Sequence, residues 1–115
     1  MASRGLKNHW FYILLSLAAE DRHGLAIARD VLALSDGQVK LWPATLYGSL
    51  DELATQGWIE ELPESHARTQ TESERKRFYR LTRAGRAALA AETERLTQLA
   101  RIARARIRPR TGDPA

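Results

Sequence analysis

The chain has no cysteine in 115 residues, which excludes both disulfide frameworks and thiolate chemistry. Long hydrophobic runs are missing too. The apolar stretch from Trp10 to Ala19 is about half of what a bilayer crossing requires, and no convincing signal-peptide cleavage site accompanies it. A cytoplasmic protein without a membrane partner is therefore the expectation. At this length the chain makes one domain, burying roughly two-thirds of its unfolded surface.

Catalytic constellations are absent as well. His9, His23 and His66 fall in unrelated segments without metal-ligand spacing, so neither metal nor cofactor is expected. The carboxylate pairs Asp51/Glu52 and Glu60/Glu61 are sequence neighbours, which point apart on a helix or strand. No Gly-rich phosphate loop or nucleophile motif occurs. The pattern does not describe an enzyme.

Acidic residues are scarce at one end only. Arg75 to Arg110 holds twelve Lys/Arg against two acids, whereas Met1 to Glu74 holds six against eleven. A basic end suits a protein that meets phosphate. The competing explanation is an arginine-rich helix that is merely soluble.

What is present is a run of helical signals. Leu6 to Ala19 reads as a first helix, apolar almost all round, which requires cover on every side and points to a second subunit. Asp21-Arg22-His23-Gly24 breaks the chain, and a second helix runs from about Leu25 to Leu34 with Ile27, Val31 and Leu34 on one face. Ser35-Asp36-Gly37 ends it, and a short extended piece over Val39 to Leu41 follows.

The most informative stretch is Pro43 to Leu62. Pro43 fits the first helical turn, Leu46, Leu50 and Leu53 form one stripe, and Gly57 closes the helix. Opposite the stripe, Ala44, Thr45, Gly48, Ser49 and Glu52 are expected. Trp58 to Leu62 then reads as a strand. A polar segment after it leads to Lys76–Thr82, whose alternation predicts a second strand, so the two make a hairpin with a long tip.

Thr82 is a plausible N-cap for a long helix from Arg83 to about Ile107. Leu89, Leu96, Leu99, Ala103 and Ile107 make a coiled-coil-like seam along it. Dimerisation through this seam and the first helix, at Leu14, is the economical reading; packing back on its own domain is the alternative. The expected fold is mainly α with a small β-hairpin. It comprises a winged helix-turn-helix over residues 1–82, a dimerisation helix over 83–107 and a disordered tail over 108–115.

Three segments, Ile13–Val31, Pro43–Glu60 and Lys76–Leu89, in this order and spacing resemble the PadR family of winged-helix transcriptional regulators. The resemblance covers roughly Leu6 to Ile107. It implies a homodimer on a palindromic double-stranded operator, repression, and in many members release by a small aromatic or drug-like ligand. Matched to the family's motif, Thr45, Tyr47, Gly48 and Ser49 would meet the groove, although the Tyr47 ring can equally be structural. His23 and Gly24 would offer the second helix's N-terminus to phosphate, or His23 simply caps it. In the wing, Lys76 and Arg77 would contact phosphate and Arg68 would probe the minor groove. Asp51-Glu52 departs from the pattern, since carboxylates near the groove repel phosphate. Trp10 and Phe11 either line an apolar effector cavity or belong to the core. A winged helix serving as a protein or small-molecule adaptor without specific DNA binding is the other class, and salt-dependent duplex binding separates the two.

Overall fold

The computed structural model describes residues 6–63 and 77–109. In chain order its elements are α1 (Asn8–Ala19), β1 (Arg22–His23), α2 (Gly24–Leu34), α3 (Pro43–Thr55), β2 (Ile59–Glu61), β3 (Phe78–Leu81) and α4 (Arg83–Ile107). Residues 64–76, the expected wing tip, and 110–115, most of the expected tail, lie outside the described residues.

Local chemistry sets the helix ends. Pro43 occupies the first turn of α3, where a missing N–H has no consequence. At the other end Gly57 takes φ 81°, and the Trp58 N–H reaches the Leu53 carbonyl at 3.0 Å. The Gly57 N–H reaches Ala54 at 2.9 Å, completing the paired closure that a left-handed residue makes available. α2 closes the same way, with Asp36 left-handed at φ 55° and the Gly37 N–H bonded to the Leu32 carbonyl at 2.8 Å.

The sheet order is β1-β3-β2, all antiparallel, with β3 central. Tyr79 lies opposite Arg22 on one side and Glu61 on the other. The hairpin was expected; β1 was not. Two residues are too few to show a strand period, and Asp21–Gly24 read only as a break between helices.

The core gathers Ile13, Leu14 and Leu17 from α1, Ile27 and Val31 from α2, and Leu46, Leu50 and Leu53 from α3. Ile59, Tyr79 and Leu81 close it from the sheet, and Leu89 from α4. Leu14 and Leu89, expected at a dimer surface, instead lie buried in the chain's own core. The physical reason is that α1 finds its cover within the same chain, between α2, α4 and β3. Further along α4 the same stripe emerges: Leu96, Leu99 and Ile107 are exposed, Ile107 at 78%.

The start of α4 is fastened to the end of α3. Thr82 donates through Oγ1 to the Gly57 carbonyl at 2.6 Å and accepts from the Gly85 N–H at 3.0 Å. Its own N–H bonds to the Trp58 carbonyl at 3.0 Å. That carbonyl lies so close to Gly85 that any Cβ there would overlap it. One turn beyond Leu89, the buried Glu92 carboxylate accepts from Arg95 Nε at 2.9 Å. The Arg95 guanidinium, assisted by the Leu6 backbone N–H, holds this carboxyl below the usual glutamate range.

Two outcomes follow from this junction. Gly85→Ala must displace backbone, so it should destabilise the fold by about 1–3 kcal/mol, read as a lower urea midpoint at unchanged slope. Glu92→Gln should cost most near neutral pH. Because the folded carboxyl is depressed, its contribution is present above the ordinary value of 4.5 and fades as pH falls through the folded value. Unfolding curves of both proteins from pH 7 to pH 3 should therefore converge on acidification; a constant gap would exclude the assigned ionised pair.

Candidate nucleic-acid interface

α2 and α3 form a helix-turn-helix, with the β2–β3 hairpin beside the end of α3. The first half of α3 presents Ala44, Thr45 and Gly48 to solvent. A side chain added at Gly48 would meet nothing within 4 Å, so this part of the helix can approach another surface closely. Ser49, expected on the same open face, is only 4% exposed. Residues 46, 49, 50 and 53 follow the i, i+3, i+4, i+7 rule, so Ser49 falls inside the buried arc rather than opposite it.

Tyr47 ties the two helices together. A Cβ on Gly24 would stand 2.6 Å from the Tyr47 hydroxyl oxygen, so the absence of a side chain at the head of α2 makes room for the ring. His23, the N-cap of α2, accepts from the Ala26 N–H through Nδ1 at 3.2 Å and packs edge-on against Phe78 at 5.4 Å. The N-terminus of α2 is thus braced by α3 on one side and by the hairpin on the other.

Arg77 is more deeply engaged than its sequence position suggests. Its guanidinium donates to both carboxylate oxygens of Glu61, at 3.1 and 3.0 Å, and lies 3.8 Å from Asp51. It also stands over the rings of Tyr47 and Tyr79, at 5.8 and 5.6 Å. One side chain therefore links α3, β2 and β3. The Glu61 hydrogen bonds hold its proton more tightly than usual. Below it, burial pushes the Tyr79 hydroxyl up to about 12. Asp51, a departure from the expected pattern, thereby acquires a partner, and the half-exposed Arg77 is charge-matched by two carboxylates.

The same pairing thins the basic end elsewhere. Arg80 Nε lies 3.2 Å from Glu60 across the hairpin, and Arg95 is paired with Glu92. On the projecting half of α4, Arg101, Arg104, Arg106 and Arg108 are exposed. Arg68 and Lys76 lie outside the described residues, as does His66. Among the described residues no cluster of three potential metal ligands occurs. Nor is any described helix long and apolar enough to cross a membrane. Of the aromatic pair considered for an effector, Trp10 is a core residue packed edge-on against Trp58, and Phe11 is half-buried against Tyr12.

A helix-turn-helix with a β-hairpin on its flank and a small antiparallel sheet defines a winged helix-turn-helix protein. The chain belongs to the PadR-like family of transcriptional regulators, whose family model matches residues 13–91. Its fold is similar to a transcriptional regulator from Clostridium thermocellum, with 20% identity, a TM-score of 0.69, and coverage of 86% of this chain and 92% of that one. It is also similar to a PadR family transcription regulator from hypervirulent Clostridium difficile, at 19% identity and TM-score 0.68, covering 86% and 97%. RosR of H. salinarum is 27% identical with a TM-score of 0.64, covering 84% and 79%. No curated protein matches by sequence. The protein is accordingly a DNA-binding transcriptional regulator and not an enzyme.

The Arg77 geometry separates two roles. A phosphate contact would lower the salt slope of DNA binding by about 1 on neutralisation. A residue that positions α3 against the hairpin would not. Arg77→Gln should leave the slope unchanged while weakening specific binding, and Asp51→Asn should do the same more mildly. The stability cost should stay below about 1 kcal/mol, because the pair is half-exposed. A slope reduced by a full unit would return Arg77 to the phosphate contacts.

Proposed function

We propose that the protein binds a palindromic operator as a homodimer, recognises its sequence through the first half of α3, and represses transcription. The observation that carries this reading is the open face of Thr45 and Gly48 on a helix held from both sides by α2 and the hairpin. A threonine can meet a base edge with its hydroxyl and a thymine methyl with its own methyl. His23 and Gly24 set the N-terminus of α2, whose first amides suit a phosphate. Tyr47 serves mainly as a brace between helices. Lys76 and Arg68 keep the phosphate and minor-groove roles that the sequence suggests. Ser49 acts from the buried arc, by allowing α3 to sit close to the core.

The dimer part of the reading rests on α4. Leu96, Leu99, Ala103 and Ile107 continue the buried face of Gly85, Leu89 and Glu92 past the end of the domain, so an apolar stripe projects into solvent with arginines around it. A second copy of the same stripe covers it by coiled-coil packing. The two-fold symmetry then places two α3 helices on half-sites about one helical turn apart. Release by a small aromatic molecule belongs to the same family-level reading.

The test is fluorescence anisotropy with labelled duplex from upstream of the protein's own gene, against a scrambled duplex, over a range of salt. Specific binding should exceed non-specific binding by on the order of 10³ or more and weaken steeply with salt. Thr45→Ala should cost about 1 kcal/mol on the specific duplex alone, and Lys76→Gln should lower the salt slope by about 1 on both. Leu99→Glu should yield a folded monomer in sedimentation, with specific binding lost. Equal affinity for the two duplexes would remove the specificity claim for that operator. No binding at low salt would favour the adaptor reading.

A further inference from the structure

Several of the exposed large apolar side chains gather at one place. Leu25, Leu32, Trp42 and Tyr47 surround a groove between α2 and the start of α3, floored by the buried Leu46. Its volume of about 460 Å³ falls within the roughly 300–1,000 Å³ typical of small-ligand sites. Trp42 is 62% exposed, an expensive position for an indole, and stands at the N-cap of α3. The groove's charged lining residues are Arg29 and Lys40, both cations, and no carboxylate lines it among the described residues. The Lys40 ammonium lies 4.4 Å from the centre of the Trp42 ring.

We propose that this groove binds a small amphipathic anion, with its apolar body against Leu25, Leu32 and Trp42 and a carboxylate-type head paired with Lys40 and Arg29. Apolar walls require an apolar body, and a purely cationic rim selects the sign of the head group. A second copy of the chain is a poorer occupant. The stripe from Leu96 to Ile107 brings Arg101, Arg104, Arg106 and Arg108 with it and no acid, and a second groove brings Arg29 and Lys40 again, so like charges would meet at the rim either way. Nucleic acid would satisfy the two cations but leave the leucines and the indole facing phosphate.

The position has a consequence for regulation. Trp42 caps α3, and Tyr47 packs on Gly24 at the head of α2, so an occupant touches both helices of the helix-turn-helix. This deepens the regulator reading above, yet the binding itself does not depend on it. The test is therefore run without DNA, so that the two can fail separately.

The full chain, labelled with ¹⁵N, is titrated with decanoate, decanol and decyltrimethylammonium below their micelle concentrations. Three tryptophans give three indole N–H signals, and Trp42→Phe identifies the one from the groove. Decanoate should move the Trp42 signal saturably while Trp10 and Trp58 stay in place. Decanol should bind about tenfold more weakly and the cation not saturably at all. Leu32→Glu, a change at an exposed position, should weaken decanoate by at least about tenfold at unchanged melting temperature. Lys40→Gln should narrow the gap between acid and alcohol. Equal affinity for all three amphiphiles would overturn the proposal, as would full affinity in Leu32→Glu. A Trp42 signal that moves with protein concentration alone, and no longer responds to decanoate, would assign the groove to a second copy instead.

Discussion

The carbonyl of Trp58 is the point on which the rest of the structure turns. It accepts the Thr82 N–H, and its close approach to α4 requires glycine at position 85. Thr82 simultaneously bonds to the neighbouring Gly57 carbonyl and caps α4. Three elements are thereby fixed by a few adjoining backbone groups: the end of α3, the start of the hairpin and the origin of the long helix. The direction in which α4 projects, and hence the position available to a second copy, is inherited from this junction. So is the angle between α3 and the hairpin.

Around that frame, charge is used for holding as much as for attraction. Arg77 joins Asp51 and Glu61, Arg80 joins Glu60, and Arg95 joins Glu92. The exposed pairs at the hairpin, Arg77 with Glu61 and Arg80 with Glu60, contribute little to stability. Their effect is geometric: a bidentate guanidinium fixes both distance and orientation. Beyond these pairs, Arg101, Arg104, Arg106 and Arg108 stay exposed along and just past the projecting half of α4. Of the two adjacent acids on α3 that depart from the family pattern, Asp51 has Arg77 as its partner. Asp51 and Glu61 neutralise Arg77 and in doing so brace α3 against the hairpin.

Much of the architecture was legible along the chain. Pro43 and Gly57 bound α3 because one lacks an N–H and the other lacks a Cβ, both properties of single residues. The Leu46-Leu50-Leu53 stripe, the Thr82 cap and the hairpin alternation are equally local, and each appears where its spacing put it. Ser49 is not legible as buried, because a small polar residue inside a buried arc looks like part of the exposed face. The β1 strand has no signature along the chain, because its two residues acquire strand character only by pairing with β3.

The sequence by itself thus determined the order and ends of the elements, the helical stripes, and the membership of a DNA-binding family, because these depend on residue properties and short-range periodicity. Tertiary structure alone decided which apolar residues are core and which remain surface. Leu14 and Leu89 are closed in by their own chain, whereas Leu96 and Leu99, on the same helical stripe as Leu89, are not. It also decided that Arg77 faces carboxylates, that Gly24 yields to Tyr47, and that Leu25, Leu32 and Trp42 meet around one groove. Each of these is a contact between residues distant in sequence. Such contacts exist only once the helices have been set at particular angles, and that setting is made by packing rather than by any local pattern.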